Sequence, residues 1–290
     1  MATPTDPRRE HPSTYFVQDR ENVEELTRMQ IQDHLMTASM GGVLPEQPDP
    51  TIFGSVLDVG CATGGWLIEA AKAYPTMREL VGIDINSKVV AYARVQAEAE
   101  KLSDRMQFRT MDALRMLEFP NGSFDLVNQR AGASYLRKWD WPKLLQEYQR
   151  VTRAGGVIRI TEGDLIVESS SPALSRLFEL LLQAFYQAGH VFTPESDGVT
   201  SQLAHLLTQY GLAEVETRTH RLQYHAGTAE WHRFFEDMRL IFRTIVPFLR
   251  KWSQVPNDYE VIYQQALAEM QQPDFVAAAG MLTAWGRKPE

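Results

Sequence analysis

Val56-Leu57-Asp58-Val59-Gly60-Cys61-Ala62-Thr63-Gly64-Gly65-Trp66-Leu67 is the stretch that decides the fold of this chain. It opens as a short apolar run ending in Asp58, the pattern of a buried parallel strand. A turn of small residues follows (Gly60, Ala62, Gly64 and Gly65), where a bulky Cβ would keep a ligand off the backbone. Beyond it Leu67, Ala70, Ala71 and Tyr74 recur at helical spacing, so the turn opens a helix. Strand, glycine turn and helix make the first unit of a doubly wound α/β fold, with its ligand at the carboxyl edge of the strands.

Two ligand classes use such a turn. As a dinucleotide fingerprint it supplies Gly60, Ala62 and Gly65, a partial match. A pyrophosphate would also need the bare helix N-terminus without a nearby anion, and Asp58 stands two residues before the first glycine. A cationic ligand without phosphate, such as the sulfonium and ammonium of S-adenosylmethionine, suits that carboxylate better. The stretch resembles motif I of the class I S-adenosylmethionine-dependent methyltransferases, an acidic residue followed by Gly-x-Gly-x-Gly, with Ala62 in place of the middle glycine.

Working outward, Glu79-Leu80-Val81-Gly82-Ile83-Asp84 is a second apolar strand ending in an acid. Asp84 lies roughly twenty residues past the turn, where a carboxylate can accept both ribose hydroxyls, or can cap the helix that begins near Asn86. Met106–Thr110 is a third strand, followed by Asp112 and Ala113. The resemblance implies that these two meet the adenine amino group and a ring nitrogen; alternatively Asp112 starts a turn. After the turn Asn121-Gly122-Ser123, Phe124–Asn128 reads as the fourth strand. It leads into Gln129 and Arg130, which border the methionine part in the resembling family. Arg130 either meets the cofactor carboxylate or pairs with an acid.

A helix begins at Trp141-Pro142. Arg153-Ala154-Gly155-Gly156 ends it before the strand Val157–Thr161, resembling the family's Leu-Lys-Pro-Gly-Gly turn. Glu162 and Asp164 then stand at the sheet edge, as a general base, a clamp for a substrate amine, or solvated loop acids. Farther on, Pro172–Gly189 is an apolar helix and Ser201–Tyr210 another. Ala213–Tyr224 alternates as a strand, and Trp231 to Ile245 carries an aromatic stripe on a long helix. A helix near Asp258–Met270 and a strand over Phe275–Trp285 complete the chain.

The resemblance implies a Rossmann-like α/β fold: a seven-stranded, mostly parallel sheet with helices on both faces, an N-terminal helix and a helical cap. Residues 1–50 make a tail and lid helix, 51–170 a cofactor-binding core, and 171–290 the remaining strands with a cap near 228–272. Before the core, a helix spans about Asn22 to Met40. Its pattern Tyr15, Asp19, Glu25, Arg28, Gln32 and His34 resembles the lead-in of methyltransferases related to LaeA-type regulators, which closes over cofactor and substrate; plain packing is the other reading. Carried over to this chain, the cofactor residues are Tyr15, Asp58, Gly60, Ala62, Gly64, Asp84, Ile85, Asp112, Ala113, Asn128, Gln129 and Arg130.

Composition bounds the function. The 290 residues carry a net charge of -8, which disfavours a nucleic-acid partner. Cys61 is the single cysteine, so neither a disulfide framework nor a cysteine zinc site is expected. No run approaches the ~18 apolar residues of a membrane span, and a cytoplasmic protein, monomeric or homodimeric, is expected. No cluster shows metal-ligand spacing. The expected activity is methyl transfer from S-adenosylmethionine, leaving S-adenosylhomocysteine, to an oxygen, nitrogen or carbon of a small, partly apolar acceptor. His190, in a loop after the apolar helix, is the first choice of base, with Glu162 beside it; His220 and His225 read as surface residues. The other readings are a cofactor-binding regulatory protein acting through a partner and a nicotinamide-dependent oxidoreductase.

Overall fold

The structure, a computed structural model, describes residues 15–17 and 23–290. Asp19 and the tail, residues 1–14, lie outside the described residues. In chain order the elements are α1 (Val23–Met40), β1 (Ser55–Val59), α2 (Gly65–Ala73), β2 (Glu79–Asp84), α3 (Ser87–Ala99), β3 (Met106–Thr110) and β4 (Phe124–Arg130). Then come α4 (Trp141–Val151), β5 (Thr152–Gly163), β6 (Glu168–Ser169), α5 (Pro172–Ala188), α6 (Leu203–Gln209) and β7 (Ala213–His225). The chain closes with α7 (Ala229–Thr244), α8 (Val246–Trp252), α9 (Tyr259–Met270) and β8 (Val276–Arg287).

The sheet runs β3-β2-β1-β4-β5-β8, with β7 on the far side of β8. The first five strands are mutually parallel, and β8 runs antiparallel to both neighbours. This is the doubly wound order, with the strand order reversing between β1 and β4, where a crevice opens at the carboxyl edge. The sheet has eight strands where seven were expected. The extra one, β6, is two residues long and pairs with Ala277 and Ala278 of β8, just past the point where Gly163 of β5 pairs Met281. The chain leaves that edge after Gly163 and returns to it at Glu168, extending the rim on the β5 side.

Alternation along the strands sorts the core onto two faces. Val56, Leu80, Leu126 and Val157 pack with Leu67, Ala70, Ala71, Val90 and Ala93 of α2 and α3. Leu57, Val81, Val127 and Ile158 pack with Leu144, Leu145 and Tyr148 of α4 and with the apolar face of α5. That second cluster continues without a break into Phe16, Leu35 and Met36 before and on α1, and into Phe234, Met238 and Ile241 of α7. So α1 and α7 close over the carboxyl edge together.

One local expectation changes. Arg153 to Gly156 do not form a turn between helix and strand; they lie within β5, which begins at Thr152. Phe124 pairs with Thr152 and Leu126 with Val157, so the extra residues bulge out of the ladder while its ends stay in register. Gly155 supplies the positive φ of +70° that the bulge requires.

Candidate functional site

The turn after β1 is held from behind by β2. The amides of Gly60 and Cys61 both donate to the Ile83 carbonyl at 2.9 Å. Asp84 Oδ2 accepts from the Ala62 amide at 3.2 Å, and its Oδ1 from Asn86 at 2.8 Å. Asp84 thus shapes both the turn and the start of α3, while Asn86, not Asp84, caps that helix, its side chain accepting from Lys88 and Val89. Gly60 needs its lack of a side chain: φ is +69°, and a Cβ would lie 2.7 Å from the Tyr135 hydroxyl. Ala62 adopts φ +46°, a left-handed conformation that a glycine would take without strain.

Around this turn lies a cavity lined by Tyr15, Asp58, Gly60, Ala62, Asp84, Ile85, Asp112, Ala113 and Arg130, nine of the twelve expected cofactor residues. Asp112 Oδ1 accepts from the Leu114 amide at 2.9 Å. Its Oδ2 is buried with no hydrogen-bond partner among the described residues, 3.5 Å from Arg115 Nε. A buried acceptor of that kind suits a ligand N–H.

The other three do not line the cavity, and each has a physical reason. Gly64 faces α3 and β3, where a Cβ would sit 2.6 Å from the Phe108 ring. Asn128 and Gln129 are both fully buried and serve opposite faces of β4. Asp58, Asn128 and Arg159 are register partners across β1, β4 and β5, so their side chains stand in one row. Asn128 Nδ2 donates to Asp58 Oδ1 at 2.7 Å, and Arg159 Nη1 donates to Asn128 Oδ1 at 2.8 Å. Arg159 closes the row on Glu46, Nε to Oε1 at 2.7 Å, both side chains fully buried. Burial pushes the Asp58 carboxyl up to about 7, against the hydrogen bond from Asn128 and the charge of Arg159.

Arg130 pairs with an acid, Asp33 of α1, and donates to Thr37 Oγ1 at 2.9 Å, while still lining the cavity. Burial, helped by the charge of Arg159, pushes its guanidinium down to about 9. Asp33 approaches α2 so closely that a Cβ at Gly65 would meet its carboxylate. The sequence pattern passed over Asp33, because nothing in a helical acid among other charged residues marks its partner far along the chain.

A second cavity of about 1090 Å³, open solvent at its mouth included, adjoins the first. Tyr15, Gln32, Met36, Ala131 and Ser134 line both. Its walls are mostly apolar, drawn from α1, α5, α7, β7 and β8. Tyr15, Glu25 and Arg28, three members of the lead-in pattern, form one buried cluster there. Arg28 donates from Nε and Nη2 to Glu25 at 2.8–3.1 Å and from Nη1 to Asp237 of α7 at 3.1 Å. The Tyr15 hydroxyl donates to Glu25 at 2.5 Å. Gln32 lines both cavities, whereas His34 is half-exposed and faces Glu69.

Glu162 lines the second cavity, with its oxygens turned to the backbone. Oε1 accepts from Gly132 at 2.7 Å and Oε2 from Ala133 at 3.2 Å, while Gln129 Nε2 reaches Oε1 at 3.3 Å. Burial pushes its carboxyl up to about 7 in spite of those donors. His190 lines neither cavity; it is buried against Phe185 and Phe248, its Nδ1 2.8 Å from the Ala133 carbonyl. A carbonyl only accepts, so Nδ1 carries the proton, and burial lowers the imidazole to about 4, which keeps it neutral. His190, expected from the sequence as the base, thus stands behind the cavity walls and is neutral there. His220 also differs from expectation: it is buried on the β8 side of β7, 3.4 Å from Thr283. Among the described residues no group of three or more His, Cys, Asp or Glu could hold a metal ion, and no helix is long and apolar enough to cross a membrane.

Residues 56–156, which carry the turn and four of the five parallel strand ends, match the family model described as a methyltransferase domain. The chain is similar to ajmaline N-methyltransferase of Rauvolfia serpentina, 36% identical over 106 residues, 37% of this chain and 35% of that one. It is also similar to demethylmenaquinone methyltransferase of Porphyromonas gingivalis, 32% identical over 115 residues, 39% of this chain and 45% of that one. The chain thus spans less than half the length of these two relatives. Among solved structures, phosphoethanolamine N-methyltransferase 2 of Haemonchus contortus, in complex with phosphomonomethylethanolamine and S-adenosylhomocysteine, superposes with a TM-score of 0.57. At 19% identity, over 95% of this chain and 60% of that one, this likeness is one of fold.

Proposed function

We propose that the chain binds S-adenosylmethionine in the first cavity and transfers its methyl group to a small, partly apolar acceptor held in the second. The observation that carries this reading is the shared wall: two cavities of different chemistry meet at Tyr15, Gln32, Met36, Ala131 and Ser134. Asp84 would accept the ribose hydroxyls, Asp112 Oδ2 the adenine amino group, and Asp58 would face the cationic end. Bound there, the cofactor supplies an electrophilic methyl carbon on a sulfonium.

What the chain contributes is alignment and exclusion of water. Residues 1–50 act as the lid through α1, residues 51–170 as the cofactor-binding core, and the cap near 228–272 closes the acceptor chamber. Glu162 and His190 act as positioning residues. One holds the amides of Gly132 and Ala133, the other the Ala133 carbonyl, and between them they set the loop that forms the shared wall. A pyrophosphate would bring its charge against Asp58 and Asp84, which disfavours the dinucleotide alternative.

Calorimetric titration of the protein with S-adenosylmethionine, S-adenosylhomocysteine and NAD tests this directly. Micromolar binding of the first two without NAD is the expected outcome. Binding of NAD alone would overturn it.

A further inference from the structure

We propose that the second cavity selects acceptors carrying a protonated amine on an apolar body, with the Asp237 carboxylate as counter-ion to the ammonium. The proposal rests on the acceptor role given above to this cavity. Its walls are apolar, with Phe178, Phe234 and Ile241 among them, and Arg28 is the one cationic side chain lining it among the described residues.

That single cation is shared between two carboxylates. Glu25 takes a bidentate grip from Nε and Nη2 of Arg28 and also receives the Tyr15 hydroxyl at 2.5 Å and Thr244 Oγ1 at 3.4 Å. Asp237 receives only Nη1 of Arg28, on Oδ1, at 3.1 Å. No other hydrogen bond reaches Asp237 among the described residues, although it is 4% exposed and lines the cavity. One guanidinium against two buried carboxylates leaves one uncompensated negative charge, and in a poorly solvated chamber that charge draws a cation.

The cavity's other acids are already engaged. Glu162 holds the amides of Gly132 and Ala133, and Asp164 holds the Thr200 hydroxyl at 2.6 Å. Asp237 is therefore where an ammonium gains most. Burial pushes its carboxyl up to about 6, so it stays ionised at pH 8. A protonated nitrogen has no lone pair, so the ammonium serves as the anchor and the methylated atom lies elsewhere on the acceptor.

The experiment is calorimetry with 4-phenylbutylamine and 4-phenylbutanol at pH 8, where the amine, with a lysine-like pKa of about 10.4, is cationic. Both are titrated into the full chain with and without saturating S-adenosylhomocysteine. The amine is expected to bind about tenfold tighter, the difference between a charged and a neutral hydrogen bond. In Asp237→Asn the two probes should come within about twofold, with alcohol binding unchanged, which shows that the chamber is intact. Equal affinities in the unaltered protein, including no measurable binding of either probe, would overturn the proposal, as would a preference that survives Asp237→Asn. Failure of S-adenosylhomocysteine to bind while the amine preference persists would refute the cofactor reading and leave the anchor standing.

Discussion

Asp58→Asn is expected to stabilise the ligand-free protein at pH 8 while weakening its hold on the cofactor. Asp58 is 4% exposed, and burial lifts its carboxyl from 3.8 to about 7. Between those two values the folded chain holds a proton that the unfolded chain has released. Stability therefore falls as pH rises through that window and is flat outside it. At about 1.36 kcal/mol per pKa unit, the charged carboxylate costs about 4 kcal/mol above pH 7 and about 1–2 kcal/mol at pH 5. Asparagine keeps the acceptor that Asn128 Nδ2 reaches at 2.7 Å and removes the charge. Urea denaturation should thus show the variant more stable by up to about 4 kcal/mol at pH 8, with the advantage about 3 kcal/mol smaller at pH 5. Calorimetry should show S-adenosylmethionine binding weakened about tenfold to a hundredfold, the worth of a charge-assisted contact. A variant no more stable at pH 8 than at pH 5, relative to the parent, would refute the argument from burial.

Other outcomes follow from the same geometry. Asp84→Asn, which keeps an acceptor for only one of the Ala62 and Asn86 amides, should weaken S-adenosylhomocysteine binding at least about tenfold by calorimetry and cost about 1 kcal/mol of stability in thermal denaturation; unchanged affinity would displace the ribose from Asp84. Ala62→Gly should raise stability by about 1 kcal/mol in thermal denaturation, because alanine pays for φ +46° and glycine does not. Glu46→Gln should cost about 3–5 kcal/mol, since it strands the fully buried Arg159; adding Arg159→Met should recover most of that loss in the same denaturation assay.

The sheet was legible because burial on both faces writes near-continuous apolar runs, and β1, β2 and β4 each carry one up to the polar residue at the edge. Eight of the nine expected cofactor residues that line one cavity stand in the turn or at the strand ends, where local geometry places them; the ninth, Tyr15, belongs to the lead-in and is brought there by packing. Asn128 and Gln129 do not line that cavity, for a reason of register. They sit at the sheet edge as expected, but their cross-strand neighbours Asp58 and Arg159, and the Glu162 and Tyr148 side chains, take up their polar groups. Glu46 stands in a proline-rich connection that reads as a linker, yet it is the buried partner of Arg159, 113 positions away.

What the sequence by itself determined is the first βα unit, the order of acids along the sheet edge and the helical lead-in. Each rests on periodicity and on glycine placement within a few residues. What only the tertiary structure decided is which charges meet: Asp33 with Arg130, Glu46 with Arg159, and Glu25 and Asp237 with one Arg28. Pairing of buried charges depends on distance in space, which the packing of α1, α7 and the segment before β1 sets, and no local pattern in the chain encodes it.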